Sequence, residues 1–272
     1  MEMSVRLAFV SDIHGNLAAL EAVIADMHGR GIDHVINLGD TLSGPLLPRE
    51  TAQRLKTLPW LHVAGNHERQ VLSLPPHRQS PSDAYTSALL GPEDRDWIAT
   101  HAPPCATDLH QGQRWADTLG AEVALCHGSP RSDIEYLLET PVGLEARLAT
   151  AEEIEERLDG RMAAHITLLA CGHSHIARTV RLASGLLIIN PGSVGLPAYD
   201  DDHPYPQSSY HRIENGSPDA RYAMAEIQDG RWICQLLSVP YDHEAMAQLA
   251  DQRGRSDWAH ALRTGRMPRR AE

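Results

Sequence analysis

Five apolar runs in this 272-residue chain each end on a residue that can bind a metal. Val5-Arg6-Leu7-Ala8-Phe9-Val10 leads into Ser11-Asp12-Ile13-His14, and His34-Val35-Ile36-Asn37-Leu38 leads into Gly39-Asp40. Leu61-His62-Val63-Ala64 runs into Gly65-Asn66-His67-Glu68, and Val123-Ala124-Leu125-Cys126 into His127-Gly128. The fifth, Ile166-Thr167-Leu168-Leu169-Ala170-Cys171, enters Gly172-His173-Ser174-His175. Each reads as a strand, and in open α/β folds ligands gather at the carboxyl ends of strands. Two aspartates, one asparagine and five histidines at one such edge exceed the needs of a single tetrahedral metal and suit two.

Between these runs the periodicity is helical. Leu17, Leu20, Val23, Ile24 and Met27 recur at helical spacing behind Asn16 as a cap, with Gly29 and Gly31 as a stop, so the first two runs form a βαβ unit. A second helix is expected from Pro48 to Leu58, with proline in its first turn. After Glu68 the chain turns polar and proline-dotted as far as Ser82, and Asp83 to Thr100 reads as helix interrupted at Gly91-Pro92. Thr150-Ala151-Glu152-Glu153 is a capping box that opens a short acidic helix ending near Gly160. Hairpins are expected at 179–182 with 186–189, and at 222–228 with 231–239 across Asp229-Gly230.

The length suits one domain, read as a core over 1–199, an inserted loop over 200–217, a returning hairpin over 218–241 and C-terminal helices over 242–272. The loop is polar and carries Tyr199, His203, Tyr205, Tyr210 and His211 in or beside it, groups able to shape substrate choice. Apolar runs stop far short of a membrane span, and the first strand begins almost at once, leaving no room for a signal peptide. A cytoplasmic location without membrane partners is therefore expected. A net charge of −12 argues against an extended nucleic-acid footprint. The four cysteines form no CxxC pair, and one lysine, Lys56, makes a Schiff base or phosphate-loop lysine a poor reading.

With 16 histidines in the chain, a lone DxH or HxH triplet carries little weight, and GD or GN after a strand is usually a turn. The shared position carries the argument. Gly39, Gly65 and Gly172 precede Asp40, Asn66 and His173, where glycine permits a sharp turn. Imidazole and carboxylate without thiolate suit Mn²⁺, Fe, Zn²⁺ or Ni²⁺. Two such ions, less two carboxylates and a hydroxide, leave a small positive pocket fit for a phosphoryl group.

Together, Asp12-Ile13-His14, Gly39-Asp40, Gly65-Asn66-His67-Glu68, His127-Gly128 and Gly172-His173-Ser174-His175 resemble the ordered motif set of the calcineurin-like metallophosphoesterases. Asn190-Pro191-Gly192-Ser193 resembles a further motif of their small bacterial phosphodiesterase branch. The resemblance implies an α/β fold, a four-layer αββα sandwich of two mixed β-sheets. It implies two divalent transition-metal ions, one held by Asp12, His14 and His175, the other by Asn66, His127 and His173, with Asp40 bridging. His67 would be catalytic, facing the substrate as an acid, with Glu68 and Arg69 as supporting or substrate-contacting residues. The implied activity is hydrolysis of a small phosphorylated substrate, as phosphodiesterase or phosphomonoesterase, by a hydroxide between the metals. A nucleotide pyrophosphohydrolase, a nuclease or a non-catalytic metal-binding module are the alternatives, and a homo-oligomer stays open.

Overall fold

The computed structural model describes residues 6–32, 34–103, 105–106, 122–201 and 210–269, so His203 and Tyr205 of the expected loop lie outside the described residues. In chain order it has β1 (Arg6–Val10), α1 (Leu17–Gly29), β2 (His34–Asn37), α2 (Pro48–Leu55), β3 (Leu61–His62), α3 (Asn66–Ser73), α4 (Pro81–Leu89) and α5 (Pro92–Ala99). Then come β4 (Cys105–Ala106), β5 (Glu122–Cys126), β6 (Glu139–Val142), β7 (Glu145–Leu148), α6 (Ala151–Leu158), β8 (Ile166–Ala170), β9 (Arg178–Arg181) and β10 (Leu187–Asn190). β11 (Ala198–Asp201), β12 (His211–Glu214), β13 (Ala220–Gln228), β14 (Arg231–Val239), α7 (His243–Gln252) and α8 (Ser256–Thr264) complete it.

Two five-stranded mixed sheets carry the fold, ordered β14-β13-β1-β2-β3 and β4-β5-β8-β10-β9. In the first, β1, β2 and β3 run parallel while β13 and β14 return antiparallel; in the second, β5, β8 and β10 are parallel and both edges antiparallel. Strand alternation sorts the side chains by face. Leu7, Phe9, Ile36 and Val63 of one sheet meet Leu125, Leu168, Ala170 and Ile189 of the other in a buried core between the sheets. Ala8, Val10 and Val35 face outward onto Leu20, Val23 and Met27 of α1. On the far side, Ala124, Leu169 and Ile188 pack against Ile154 and Leu158 of α6. Helix, sheet, sheet, helix is the four-layer sandwich. The five motif-bearing strands divide between the sheets, three and two, so two facing carboxyl edges supply the candidate ligands rather than one.

Local chemistry explains most elements. Asn16 caps α1 by accepting from the Ala19 amide at 3.1 Å, and Thr150 with Glu153 closes the capping box of α6. Asp229 and Gly230 both take left-handed backbone, the requirement of a two-residue hairpin. Cys126 and Cys171 are buried as free thiols. Three expectations need correction. Helix α2 stops at Leu55, three residues early, its end closed by Lys56 and Thr57 bonding back to Ala52 and Arg54. The polar stretch after Glu68 contains α3, which begins at Asn66 because Glu68 reaches back to the Gly65 amide at 2.7 Å. The segment 200–217 is no simple loop: β11 and β12 pair antiparallel over Ala198–Asp201 and His211–Glu214. Among the described residues no helix is long and apolar enough to cross a membrane.

Candidate metal centre

The turns that follow the strands are laced together before any side chain is considered. The Asp12 amide donates to the Gly39 carbonyl at 2.9 Å and the His14 amide to the Asp40 carbonyl at 3.0 Å. Asp12, His14, Asp40, His173 and His175 all have φ between 52° and 66°, a left-handed region costly to residues with a Cβ. Among the described residues only Asp159 and Asp229 share that conformation outside glycine, one capping a helix and the other turning a hairpin. Strained backbone collected at one place marks a functional site. Gly39 needs its own left-handed φ of 110°, whereas Gly65 and Gly172 have ordinary φ and are required for space. A Cβ at Gly65 would collide with the Asp40 carboxylate, and one at Gly172 with Ser11.

Two triads of buried side chains result. Asp12, His14 and His175 form one, and Asp40, His127 and His173 the other, each with its donor atoms within 4.8 Å of one another. The outer nitrogens of three rings are held by carbonyls: His14 Nδ1 by Ser43 at 2.7 Å, His175 Nδ1 by Leu196 at 2.7 Å, His127 Nδ1 by Leu38 at 2.8 Å. A carbonyl only accepts, so each Nδ1 carries a hydrogen and each ring turns its Nε2 inward, the atom a metal would take. His14 Nε2 and His175 Nε2 then face each other at 3.2 Å, beside Asp12 Oδ1, which is buried without a hydrogen bond. His127 Nε2 lies 3.1 Å from both Asp40 Oδ2 and Asn66 Oδ1. Imidazole nitrogens and carboxylate oxygens converging in this way are what a divalent cation satisfies, and a carbonyl on the outer nitrogen is a common support of a ligating histidine. The donor set therefore fits two divalent ions.

Residues 5–211 match the model of the calcineurin-like phosphoesterase superfamily domain. The chain belongs to this superfamily. Among solved structures, a metallophosphoesterase from Sphaerobacter thermophilus superposes with a TM-score of 0.68 at 24% identity, covering 95% of this chain and 98% of that one. A hypothetical protein from Pyrococcus horikoshii OT3 gives a TM-score of 0.67 at 17% identity over 96% and 98%. Both likenesses concern the fold. An uncharacterised protein of Methanocaldococcus jannaschii is 42% identical over 66 residues, 24% of this chain and 27% of that protein. The match thus spans about a quarter of that relative's length.

Around the triads of this superfamily member, electrostatics separates the residues by role. Burial lowers the pKa of His14 to about 4, with His175 adding to the effect, and burial together with His127 lowers His173 to about 4. Both rings are thus neutral and free to ligate. Burial also opposes charge on His127, yet Asp40 prevails and raises it to about 9. A proton on Nε2 joins Asp40 and Asn66 in the cation-free protein, and a divalent ion would displace it. Burial favours protonation of Asp12 and Asp40, but His175 pulls Asp12 down to about 2, and His127 with His67 holds Asp40 well below the usual carboxylate range.

His67 stands beside the triads. Its amide donates to Asp40 Oδ1 at 2.9 Å, and its Nε2 lies 4.0 Å from Asp40 Oδ2. Its Nδ1 is 2.7 Å from Asp83 Oδ1, a buried carboxylate that also accepts from Ser43 and Ser80 at 2.7 Å each. Burial opposes the charged ring, but Asp40 and Asp83 outweigh it and lift His67 to about 10. Asp83, from α4, is thus the carboxylate that holds His67. Glu68 instead accepts from the Asp40 and Thr41 amides at 2.8 Å and the Gly65 amide at 2.7 Å, fixing the turn that presents Asp40. Arg69 points elsewhere, bonded through two nitrogens to Asp133 at 2.6 and 3.0 Å.

A second layer lies behind the triads, and it includes Tyr199 and His211, which were expected only as substrate-shaping groups in or beside a polar loop. Tyr199 donates to the His173 carbonyl at 3.0 Å and packs its ring 4.5 Å from that of His175. Because its hydrogen is spent on a carbonyl, the 2.7 Å contact with Tyr136 must take its hydrogen from Tyr136. Tyr136 in turn accepts from His211 Nε2 at 3.0 Å, so the chain of hydrogen bonds runs in one direction from β12 to the metal centre. Trp258 of α8 meets the His14 ring edge-on at 5.9 Å and 82°. The signals for these residues were slight: Ser80-Pro81-Ser82-Asp83 reads as a helix start, and nothing local points Trp258 at His14.

Proposed function

We propose that this chain is a dinuclear metal-dependent hydrolase of small phosphate esters. The observation that carries the reading is the pair of triads, in which carbonyl-held histidines turn their Nε2 atoms onto Asp12 on one side and Asp40 on the other. Two divalent cations there would neutralise phosphoryl oxygens and lower the pKa of a water. Asp12, His14 and His175 would hold one, His127, His173 and Asn66 the other, and Asp40 would serve both. Mn²⁺, Fe, Zn²⁺ and Ni²⁺ all suit this donor set.

The remaining work falls to groups of the chain itself. His67, protonated and held on its far nitrogen by Asp83, presents Nε2 to the cavity beside Asp40, where it can give a proton to a departing alkoxide. Glu68 keeps the Asp40 turn rigid, so that no side chain has to reorganise during reaction. The buried position of both triads excludes bulk water behind the reacting phosphorus. The test is direct: elemental analysis of protein reconstituted with Mn²⁺ or Zn²⁺, with hydrolysis of bis-p-nitrophenyl phosphate and p-nitrophenyl phosphate. Two metals per chain and metal-dependent turnover of at least one ester are expected. One metal or none after reconstitution, or metal-independent turnover, would sink the reading.

A further inference from the structure

The cavity over the triads has two unlike sides. Its floor holds His14, Asp40, Asn66, His67, His173 and His175, the groups just assigned to metal and phosphoryl chemistry. One wall is apolar, made by Leu196, Ala198, Trp258, Ala261 and Met267. Three of these five come from α8 and the turn after it, beyond residue 211, where the superfamily match ends. We propose that this wall receives one compact aromatic or apolar arm of a phosphate diester, and that Trp258 is its specificity-determining residue. The inference rests on the phosphoesterase reading of the floor and names its substrate class.

Three observations support it. First, Trp258 is held in place as a surface. Its ring edge rests on His14, and the Arg255 guanidinium covers it at 5.5 Å. Arg255 is itself fixed by both Asp257 oxygens, the closest at 2.7 Å, and by Ser82 Oγ at 2.9 Å. Gly44 leaves room for the ring, since a Cβ there would fall 2.7 Å from Trp258 Cη2. A wall built this way is preorganised, and a bound ring spends little on ordering it.

Second, the charge favours a singly charged ester. Away from the floor, the cavity is lined by Asp200, Asp201 and Asp257 against Arg78 and Arg255. Arg255 is paired with Asp257, and the rest of the lining adds one further cation, Arg78, and two further carboxylates. Among the described residues the lining gathers no cluster of cations for a second phosphate, whereas a diester brings one negative charge to a floor that two divalent ions would make cationic. Third, the described residues enclose about 290 Å³. That is the small end of the ~300–1,000 Å³ range of ligand pockets, enough for a phosphoryl group with one ring and too little for a dinucleotide.

The test holds the leaving group constant. Methyl p-nitrophenyl phosphate and phenyl p-nitrophenyl phosphate release the same phenolate and differ only in the retained arm. Mn²⁺-loaded wild type, Trp258→Ala and Ala261→Phe are compared by the phenyl-to-methyl ratio of kcat/KM, in which any general loss of activity cancels. Burying one ring should give wild type a ratio of ~10–100. Trp258→Ala should bring the ratio near unity, and Ala261→Phe, which keeps the Trp258 ring but fills the space beside it, should do the same. Binding of diphenyl phosphate against dimethyl phosphate, by calorimetry, reads the wall without turnover and should show the same order. Turnover without a phenyl preference, or a preference that neither substitution moves, overturns the apolar wall and leaves the phosphoesterase reading standing. A binding preference with no turnover of either diester overturns the diester assignment; the phosphoesterase reading falls with it only if p-nitrophenyl phosphate is not hydrolysed either.

Discussion

His62 and His67 lie on either side of the same turn, one ending β3 and the other in the first turn of α3, and burial has opposite outcomes for them. His62 stacks on His101 at 4.9 Å with the rings 16° apart, and Trp97 meets both edge-on. Its Nδ1 accepts from Asn37 at 3.1 Å, and among the described residues no carboxylate reaches this group. Burial pushes His62 down to about 4, and burial with the His62 ring beside it pushes His101 to about 3. His67 suffers the same desolvation, yet Asp40 and Asp83 carry it to about 10. Desolvation has one sign for every imidazole; a fixed carboxylate decides whether the ring ends up charged. The second nitrogen divides the candidates here: carbonyls hold the proposed ligands His14, His127 and His175, and a carboxylate holds the proposed acid His67.

The largest effects should fall on the carboxylate-bearing side of this comparison. Asp40→Ala should abolish turnover and lower metal content together, because Asp40 touches both His127 and the His67 amide. His67→Ala should keep both metals and lose ~10²–10⁴ in kcat, the usual scale for a positioned acid. Elemental analysis beside kcat separates the two outcomes. If His67→Ala emptied the metal centre, His67 would belong with the ligands and the division drawn here would fail.

A smaller effect sharpens the role of the dyad. Asp83→Asn preserves the size and a hydrogen-bond acceptor at His67 Nδ1 but removes the charge. We expect a fall in kcat on the order of 10-fold, less than deletion of the imidazole, with KM and metal content unchanged. Asp83→Ala should be worse, since Ser43 and Ser80 also lose their acceptor. Equal kcat for Asp83→Asn and the wild type would reduce Asp83 to a structural group that merely packs under α4.

Nine of the strands, both hairpins among them, and the seven residues proposed as ligands could be named from sequence because each announces itself locally, whereas β4, β6, β7, β11 and β12 could not. An apolar run followed by a turn and a ligating side chain needs no knowledge of distant chain. The contacts of Asp83, Tyr136, Tyr199 and Trp258 were not legible, because their partners lie 16, 37, 24 and 244 positions away, at His67, His173, His175 and His14. Glycine was read for the wrong reason at Gly65 and Gly172: the sequence permits a turn, but only packing shows that Asp40 and Ser11 occupy the space. The segment 200–217 looked like loop because its charge and proline content hide β11 and β12, whose pairing buries His211 and Ala198. Glu68, expected as a supporting or substrate-contacting residue, folds back onto the preceding amides, as a side chain at the third helical position does.

The smallest predicted effect belongs to the carboxylate-free pair. His62 and His101 are neutral in the fold with pKa values of about 4 and 3, against ~6.5 for unfolded histidine. Between those values the unfolded chain binds more protons, so stability rises with pH. The contribution is fully present above ~pH 6.5 and is lost as pH falls toward the folded values, at most about 2 kcal/mol for His101 by pH 5. Both nitrogens of His101 are buried without a hydrogen bond, so a ring without them sacrifices no partner. His101→Phe keeps the contact with Trp97 and His62 while removing one titrating group. Metal-stripped wild type and variant should be melted at pH 7.5 and pH 5, because acid also releases metal and would mask the difference. The variant should match or exceed the wild-type Tm at pH 7.5 and lose fewer degrees on acidification, by a few degrees for a domain of this size. Equal losses would mean that His101 is hydrated or already paired, and that burial alone does not keep these two rings neutral.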